Sequence, residues 1–146
     1  MIGAIAGDII GSVFEQNPVK TTPFPLFAQT SRFTDGTVLS VAVADAILNQ
    51  TDYAGALKTD ARMYPTAGYG TSFFSWMQSD DPRPYNSWGN GSAVRVSAVG
   101  FAFDSVREVL REAQNSAAVT HDHPEPISSF RCAETARGLI AHHRPI

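Results

Sequence analysis

Apolar side chains recur at steps of three and four through Ile2, Ile5, Ala6, Ile9, Ile10, Val13 and Phe14. That period predicts an amphipathic helix over residues 2–14. Gly3, Gly7 and Gly11 form a second row at i, i+4 and i+8. Each glycine costs a helix interior about 1 kcal/mol relative to alanine. A row without side chains lets another backbone or a ligand come close. Asp8 and Glu15 stand two turns apart on a common face. They are either a solvated edge of a buried helix or one side of a site.

Residues 16–33 carry Pro18, Pro23 and Pro25 and hold no lasting period. This stretch reads as a loop or irregular crossing, with Phe24, Leu26, Phe27 and Phe33 expected to pin it to the core. From Thr37 to Asn49 the helical period returns through Leu39, Ala42, Val43, Ala46 and Ile47. Thr34, Asp35 and Thr37 cluster at its start, where side-chain oxygens can cap free N–H groups. A further helix is expected from about Ala54 to Met63, ending before Pro65. Gly68-Tyr69-Gly70 reads as a turn. A short helix should follow, with Phe73, Phe74, Trp76 and Met77 packing inward. Residues 79–91 read as loop, and Ser92 to Phe103 as one helix. Ser105 and Glu108 form a capping box, opening a helix with Val106, Val109, Leu110, Ala113 and Ala117 on one face. His121 to Glu125 reads as a turn, and a last helix is expected over Ser128 to His142. No segment shows convincing alternation, no unit repeats, and the fold class is all-α.

Composition narrows the function classes. The chain has 146 residues, enough for one compact domain with a core of its own. Net charge is −3, with 11 Lys and Arg against 14 Asp and Glu and no basic cluster, which argues against a nucleic-acid phosphate track. No run of about 20 apolar residues predicts a membrane span. Residues 1–14 lack a basic leader segment and carry Asp8 in their middle, so they read as mature protein, and the expected location is cytoplasmic. The lone Cys132 excludes an internal disulfide framework and reads as inert.

Three groups could carry chemistry. Asp8, Glu15, Thr34 and Asp35 are oxygen donors of the kind that hard divalent cations take, although a Thr-Asp pair at a helix start is more commonly a cap. Gly68-Tyr69-Gly70-Thr71-Ser72 and Gly89-Asn90-Gly91-Ser92 place bare N–H groups before predicted helices, a geometry that suits anions. Ordinary turns would look the same. Neither matches a nucleotide fingerprint. His121 and His123, two apart in a loop, could bind a metal, contact a ligand or lie at the surface. No further nitrogen or sulfur ligands accompany them.

The order of the motifs points further. Gly3-Ala-Ile-Ala-Gly7-Asp8-Ile-Ile-Gly11-Ser-Val-Phe-Glu15 comes first and Phe33-Thr34-Asp35-Gly36-Thr37 second. Gly68-Tyr69-Gly70, Phe73-x-x-Trp76, Pro84-Tyr85-Asn86-Ser87 and Gly89-Asn90-Gly91-Ser92-Ala93-Val94-Arg95-Val96 follow. Ala118-Val119-Thr120-His121-x-His123-Pro124-Glu125 comes last. Over about residues 1–125 this order resembles the ADP-ribosylglycohydrolases.

The resemblance implies an all-α helical bundle with a two-metal site, usually Mg²⁺ or Mn²⁺. It implies hydrolysis of the glycosidic bond between ADP-ribose and a modified acceptor. By resemblance, Glu15 and Asp35 are the catalytic carboxylates and Thr34 and Asp35 the metal ligands. Gly68, Tyr69, Gly70, Asn90, Gly91, Ser92, His121 and His123 match segments around the ADP-ribosyl group, while Asp8 is structural or stands behind the metal ligands. The family's Thr-Asp-Asp-Thr reads Thr34-Asp35-Gly36-Thr37 here, and its later Gly-Asp-Thr-Asp-type motif is absent from the sequence. Residues 126–146 depart from the pattern and read as a divergent, frame-shifted or recombined end. The expectation is therefore a truncated relative with an incomplete metal site and weak or no turnover, its exposed apolar surface paired in a homodimer. The alternative is a non-catalytic ADP-ribose-binding module or a structural remnant.

Overall fold

A computed structural model describes residues 1–122. Seven helices occur among them, with no strand. They are α1 (Ile2–Gly11), α2 (Asp35–Asn49), α3 (Tyr53–Met63), α4 (Thr71–Gln78), α5 (Gly91–Val94), α6 (Ser97–Ala102) and α7 (Val106–Ala118). The expected last helix, Cys132 and His123 lie outside the described residues. No helix among those described is long and apolar enough to cross a membrane.

α2 is the central element, packing against α1, α3 and α6. Its Leu39, Ala42, Val43 and Ala46 are buried against Leu57 and Ala61 of α3, Phe73, Trp76 and Met77 of α4, and Val109, Ala113 and Ala117 of α7. The alanines on the buried faces let the helix axes come close, and the larger Leu57, Met77 and Trp76 fill the remaining space. α2 ends where Gln50 turns left-handed at φ 54°, a helix-closing geometry. α3 begins where the Asp52 carboxylate accepts the Gly55 N–H at 2.6 Å.

α4 is closed at its C-terminus by cations from α3. Lys58 Nζ donates to the carbonyls of Ser79 at 2.8 Å and Asp81 at 2.7 Å. Arg62 Nε donates to the Met77 carbonyl at 2.6 Å. The Lys58 ammonium also stands 4.5 Å from the centre of the Trp76 ring, a favourable cation–π geometry. Burial holds its pKa below the usual lysine range, and the positive charge of Arg62 adds to the effect. These contacts hold α4, and so the Gly70 turn before it, against α3.

Three expectations need correction. The loop aromatics do not pin residues 16–33 to the core: Phe24, Leu26, Phe27 and Phe33 are all exposed, Leu26 and Phe27 at 58% and 65%. Phe24 instead meets Phe14 edge-on at 5.3 Å, and Phe33 meets Tyr64 at 5.6 Å. The span Ser92–Phe103 is two helices broken at Arg95 and Val96. The break coincides with a guanidinium drawn inward to the Ser116 carbonyl and the Thr120 hydroxyl. Finally, Phe74 and Val106 face solvent, and Ser116 takes a buried place on α7. The capping box is formed, with the Glu108 N–H donating to Ser105 Oγ at 3.2 Å.

Candidate functional site

The first four N–H groups of a helix have no partner within it, and at α2 the tertiary structure supplies acceptors. Thr34 side-chain oxygen does not cap the helix. Asp8, reaching across from α1, does so. Its carboxylate accepts the Thr34 N–H at 2.7 Å, the Thr37 N–H at 3.2 Å and the Thr37 hydroxyl at 2.6 Å. It accepts the Thr34 hydroxyl as well. The Asp35 N–H donates to the Ala67 carbonyl at 2.7 Å, and the Gly36 N–H donates to the Asp35 carboxylate. These contacts make Asp8 the cap of α2 and place it directly behind Thr34.

Gly36 is part of the same arrangement. A Cβ built on it would stand 2.7 Å from Asp8 Oδ1 and 3.3 Å from Val94 Cγ1. The Asp8 carboxylate is held by four donors and has little freedom to yield. The space a side chain at position 36 needs is therefore occupied by Asp8.

Next to this cap lies a cleft of about 640 Å³, within the size range of small-ligand sites. Asp35 and Leu39 form one side, and Gly70, Thr71, Ser72 and Phe73 at the start of α4 form another. Tyr85 to Gly91, Arg95 and His121 complete it. α4 has no side-chain cap at its N-terminus, so its first N–H groups and the positive end of its dipole face the opening. Tyr85 is half-buried, and Trp88 at the rim is 78% exposed.

Burial raises the Asp35 pKa above the usual carboxylate range, with the negative charges of Glu15 and Asp8 adding to the rise. Tyr69, stacked on Phe73 at 5.2 Å, has its hydroxyl buried without a hydrogen-bond partner. Its pKa is pushed up to about 12 by burial and then by Asp35 and Asp60.

A profile of the ADP-ribosylglycohydrolase family matches residues 1–142. The chain belongs to that family. It is similar to ADP-ribosylhydrolase ARH3 of Mus musculus, with 26% identity over 83% of this chain and 42% of the relative. The Homo sapiens and Gallus gallus proteins of that name are 25% and 26% identical, over 83% of this chain and 43% of theirs. The chain thus spans a little over two fifths of the length of these curated relatives.

The residues that the family resemblance singled out divide between two places. Asp35, Gly70, Asn90, Gly91 and His121 line the cleft. Gly68, Tyr69 and Ser92 do not line it; Ser92 is buried, and Gly68 sits at φ 95°, where its lack of a side chain sets the turn. Thr34 is buried on Asp8, and Glu15 is exposed outside the cleft, near enough to act on Asp35 through its charge. His123 lies outside the described residues. Tyr85, Trp88 and Arg95 line the cleft without having been singled out as site residues. Arg95 did carry a signal, as the one charge in the apolar run Ala93 to Val99.

The donor set among the described residues does not fit a pair of cations. No three His, Cys, Asp or Glu side chains gather there to hold a metal. Asp8 is committed to the α2 cap, the Thr34 hydroxyl is committed to Asp8, and position 36 has no side chain.

Gly36→Asp should therefore destabilise the fold instead of building a ligand. Overpacking of this kind costs about 1–3 kcal/mol, and a second carboxylate against Asp8 adds repulsion. Urea denaturation should show the loss, and Mg²⁺ should not restore it. Asp35 gives a pH test. Its folded pKa is raised, so the folded state binds the proton more tightly. Ionising Asp35 therefore costs stability as pH rises from the ordinary Asp value of 3.8 through the folded pKa. The melting temperature of Asp35→Asn minus that of the parent, measured with chelator, should be larger at pH 7 than at pH 3.

Proposed function

We propose that the cleft holds the ADP-ribosyl group, and that the chain by itself hydrolyses the bond from ADP-ribose to its acceptor weakly or not at all. The observation that carries the reading is the cleft's set of walls in a chain of this family. The uncapped start of α4 offers hydrogen-bond donors to a diphosphate, and the buried Arg95 guanidinium in the cleft wall adds positive charge. The exposed Trp88 ring offers a stacking surface for a base. Asp35 offers a carboxylate to ribose hydroxyls.

Weak turnover follows from what does not converge. Glycosidic hydrolysis needs a water aimed at the anomeric carbon and groups to move its protons. Of Glu15 and Asp35, Asp35 alone lines the cleft. With Asp8 and Thr34 engaged elsewhere, we infer that the described residues hold Mg²⁺ or Mn²⁺ weakly.

The test is calorimetry with ADP-ribose, with and without Mg²⁺, beside an assay for ADP-ribose release from ADP-ribosylated protein. Saturable binding that changes little with Mg²⁺, and turnover far below that of a full-length relative, are expected. Trp88→Ala should weaken binding at least about fivefold, in keeping with the energy of stacking a base on an aromatic ring. Efficient metal-dependent release by the purified chain would overturn the weak-turnover reading. Absence of binding would overturn the ligand assignment.

One observation favours a second copy as partner. α1 is strongly apolar, yet Ile2 is 85% exposed and Ile5, Ile9 and Ile10 are only partly buried, and nothing lies within 4 Å of a Cβ built on Gly3, Gly7 or Gly11. An apolar face of this kind recruits a partner, and the glycine row permits a close helix approach. We propose that it pairs with the same face of another copy. Light scattering at high micromolar concentration should show a dimer, and Gly7→Asp should return it to monomer without lowering the melting temperature of the dilute chain. A wild-type monomer throughout that range would defeat the pairing.

A further inference from the structure

The chain that closes one side of the cleft is tied to the end of α7 by a row of hydrogen bonds. Arg95, 1% exposed, donates from Nη2 to the Ser116 carbonyl and to Thr120 Oγ1, both at 2.7 Å. Thr120 Oγ1 stands 2.7 Å from His121 Nδ1. His121 Nε2 stands 3.0 Å from the Gly89 carbonyl oxygen. The Ser87 N–H donates to the Thr120 carbonyl at 2.8 Å. Arg95, Thr120 and His121 are all buried, so the bonds among them are shielded from bulk water, while the Gly89 end of the row is only partly buried.

With the His121 ring neutral, the two ends of the row set its direction. A guanidinium can only donate and a carbonyl can only accept. Gly89 therefore requires a proton on His121 Nε2. In the neutral ring that leaves a lone pair on Nδ1, which takes the Thr120 hydroxyl proton. The alternative acceptor for that proton, the Ala117 carbonyl, is farther away at 3.4 Å. Thr120 Oγ1 keeps its lone pairs for Arg95. Each bond polarises the next, and aligned hydrogen bonds in a low-dielectric interior strengthen one another.

The consequence falls on one peptide. With the Gly89 carbonyl turned to His121, the Asn90 N–H points the opposite way across the trans peptide. That N–H donates to no group among the described residues. Trp88 and Asn90, both lining the cleft, flank the clamped residue.

We propose that Arg95, Thr120 and His121 form a one-directional relay that sets the Gly89–Asn90 peptide, so that Thr120 and His121 govern ligand affinity as positioning residues acting through Gly89. The ligand named here rests on the reading above; the relay itself does not.

The test uses the full chain. Imidazole ¹⁵N NMR, assigned by the signal lost in His121→Gln, should find His121 neutral with its proton on Nε2 and its Nδ1 accepting a hydrogen bond. Thr120→Val removes the hydroxyl at nearly constant volume. It should shift the His121 Nδ1 resonance toward that of a free lone pair, speed exchange of the Ser87 and Gly89 amides at least tenfold, and weaken ADP-ribose binding about tenfold. Thr120→Ser restores the hydroxyl and should return all three readouts to within about twofold of the parent. A wild-type His121 protonated on Nδ1, or loop exchange unchanged in a folded Thr120→Val, would overturn the relay. The wild-type tautomer decides the matter even if the valine variant does not fold. A wild-type chain that binds no ADP-ribose would count against the ligand assignment, while tautomer and amide exchange would still support or overturn the relay.

Discussion

Asp8 is the constraint on which the central geometry depends. One carboxylate on α1 gathers two N–H groups and two hydroxyls at the start of α2. It ties α1 to the core helix, where no α1 residue is fully buried. It settles that position 36 is glycine, because its oxygen occupies the place of a Cβ. It also leaves Asp35 as the carboxylate of this segment that faces the cleft. A negative group at a helix N-terminus is favourable in its own right, and here the same charge helps to raise the Asp35 pKa. Structural and chemical roles are thus divided between two neighbouring carboxylates, with burial and hydrogen bonding drawing the division.

The opposite side of the cleft is organised by a buried cation. Arg95 interrupts what would have been one helix, and its guanidinium ties the segment to α7. Burying such a group is costly unless its donors are satisfied. The Ser116 carbonyl and Thr120 hydroxyl supply acceptors, and the second of these carries the polarity onward to His121. The cleft therefore lies between an acidic cap and a basic clasp, with the uncapped start of α4 opening into it. A ligand with a negative centre and hydroxyl donors would find complementary groups in that arrangement.

The pattern along the chain was a good guide wherever the governing forces were local. The helical period at Leu39 to Ile47 placed α2, and the Ser105–Glu108 pair placed the start of α7. The order of short motifs carried the family, and the family profile agrees. Local reading failed where a distant partner outbid a near one. Thr34 has the chemistry of a cap, but Asp8, 26 residues away, took the role and used the Thr34 hydroxyl as a donor. Phe24, Leu26, Phe27 and Phe33 have the chemistry of core residues, yet all four are exposed, with Phe24 meeting Phe14 and Phe33 meeting Tyr64 edge-on. Hydrophobicity alone does not tell whether a loop has a surface to lie on.

By itself the sequence determined which segments are helical, where several of them begin, that the class is all-α, and which family the chain belongs to. Those properties follow from period and order, which are written in neighbouring residues. The tertiary structure alone decided which carboxylate caps and which one faces the cleft, why a side chain at position 36 has no room, and how His121 reaches Gly89. Each of these is a hydrogen bond or a steric contact between groups far apart along the chain. Such contacts leave no period behind them, so they become visible only once the helices have packed.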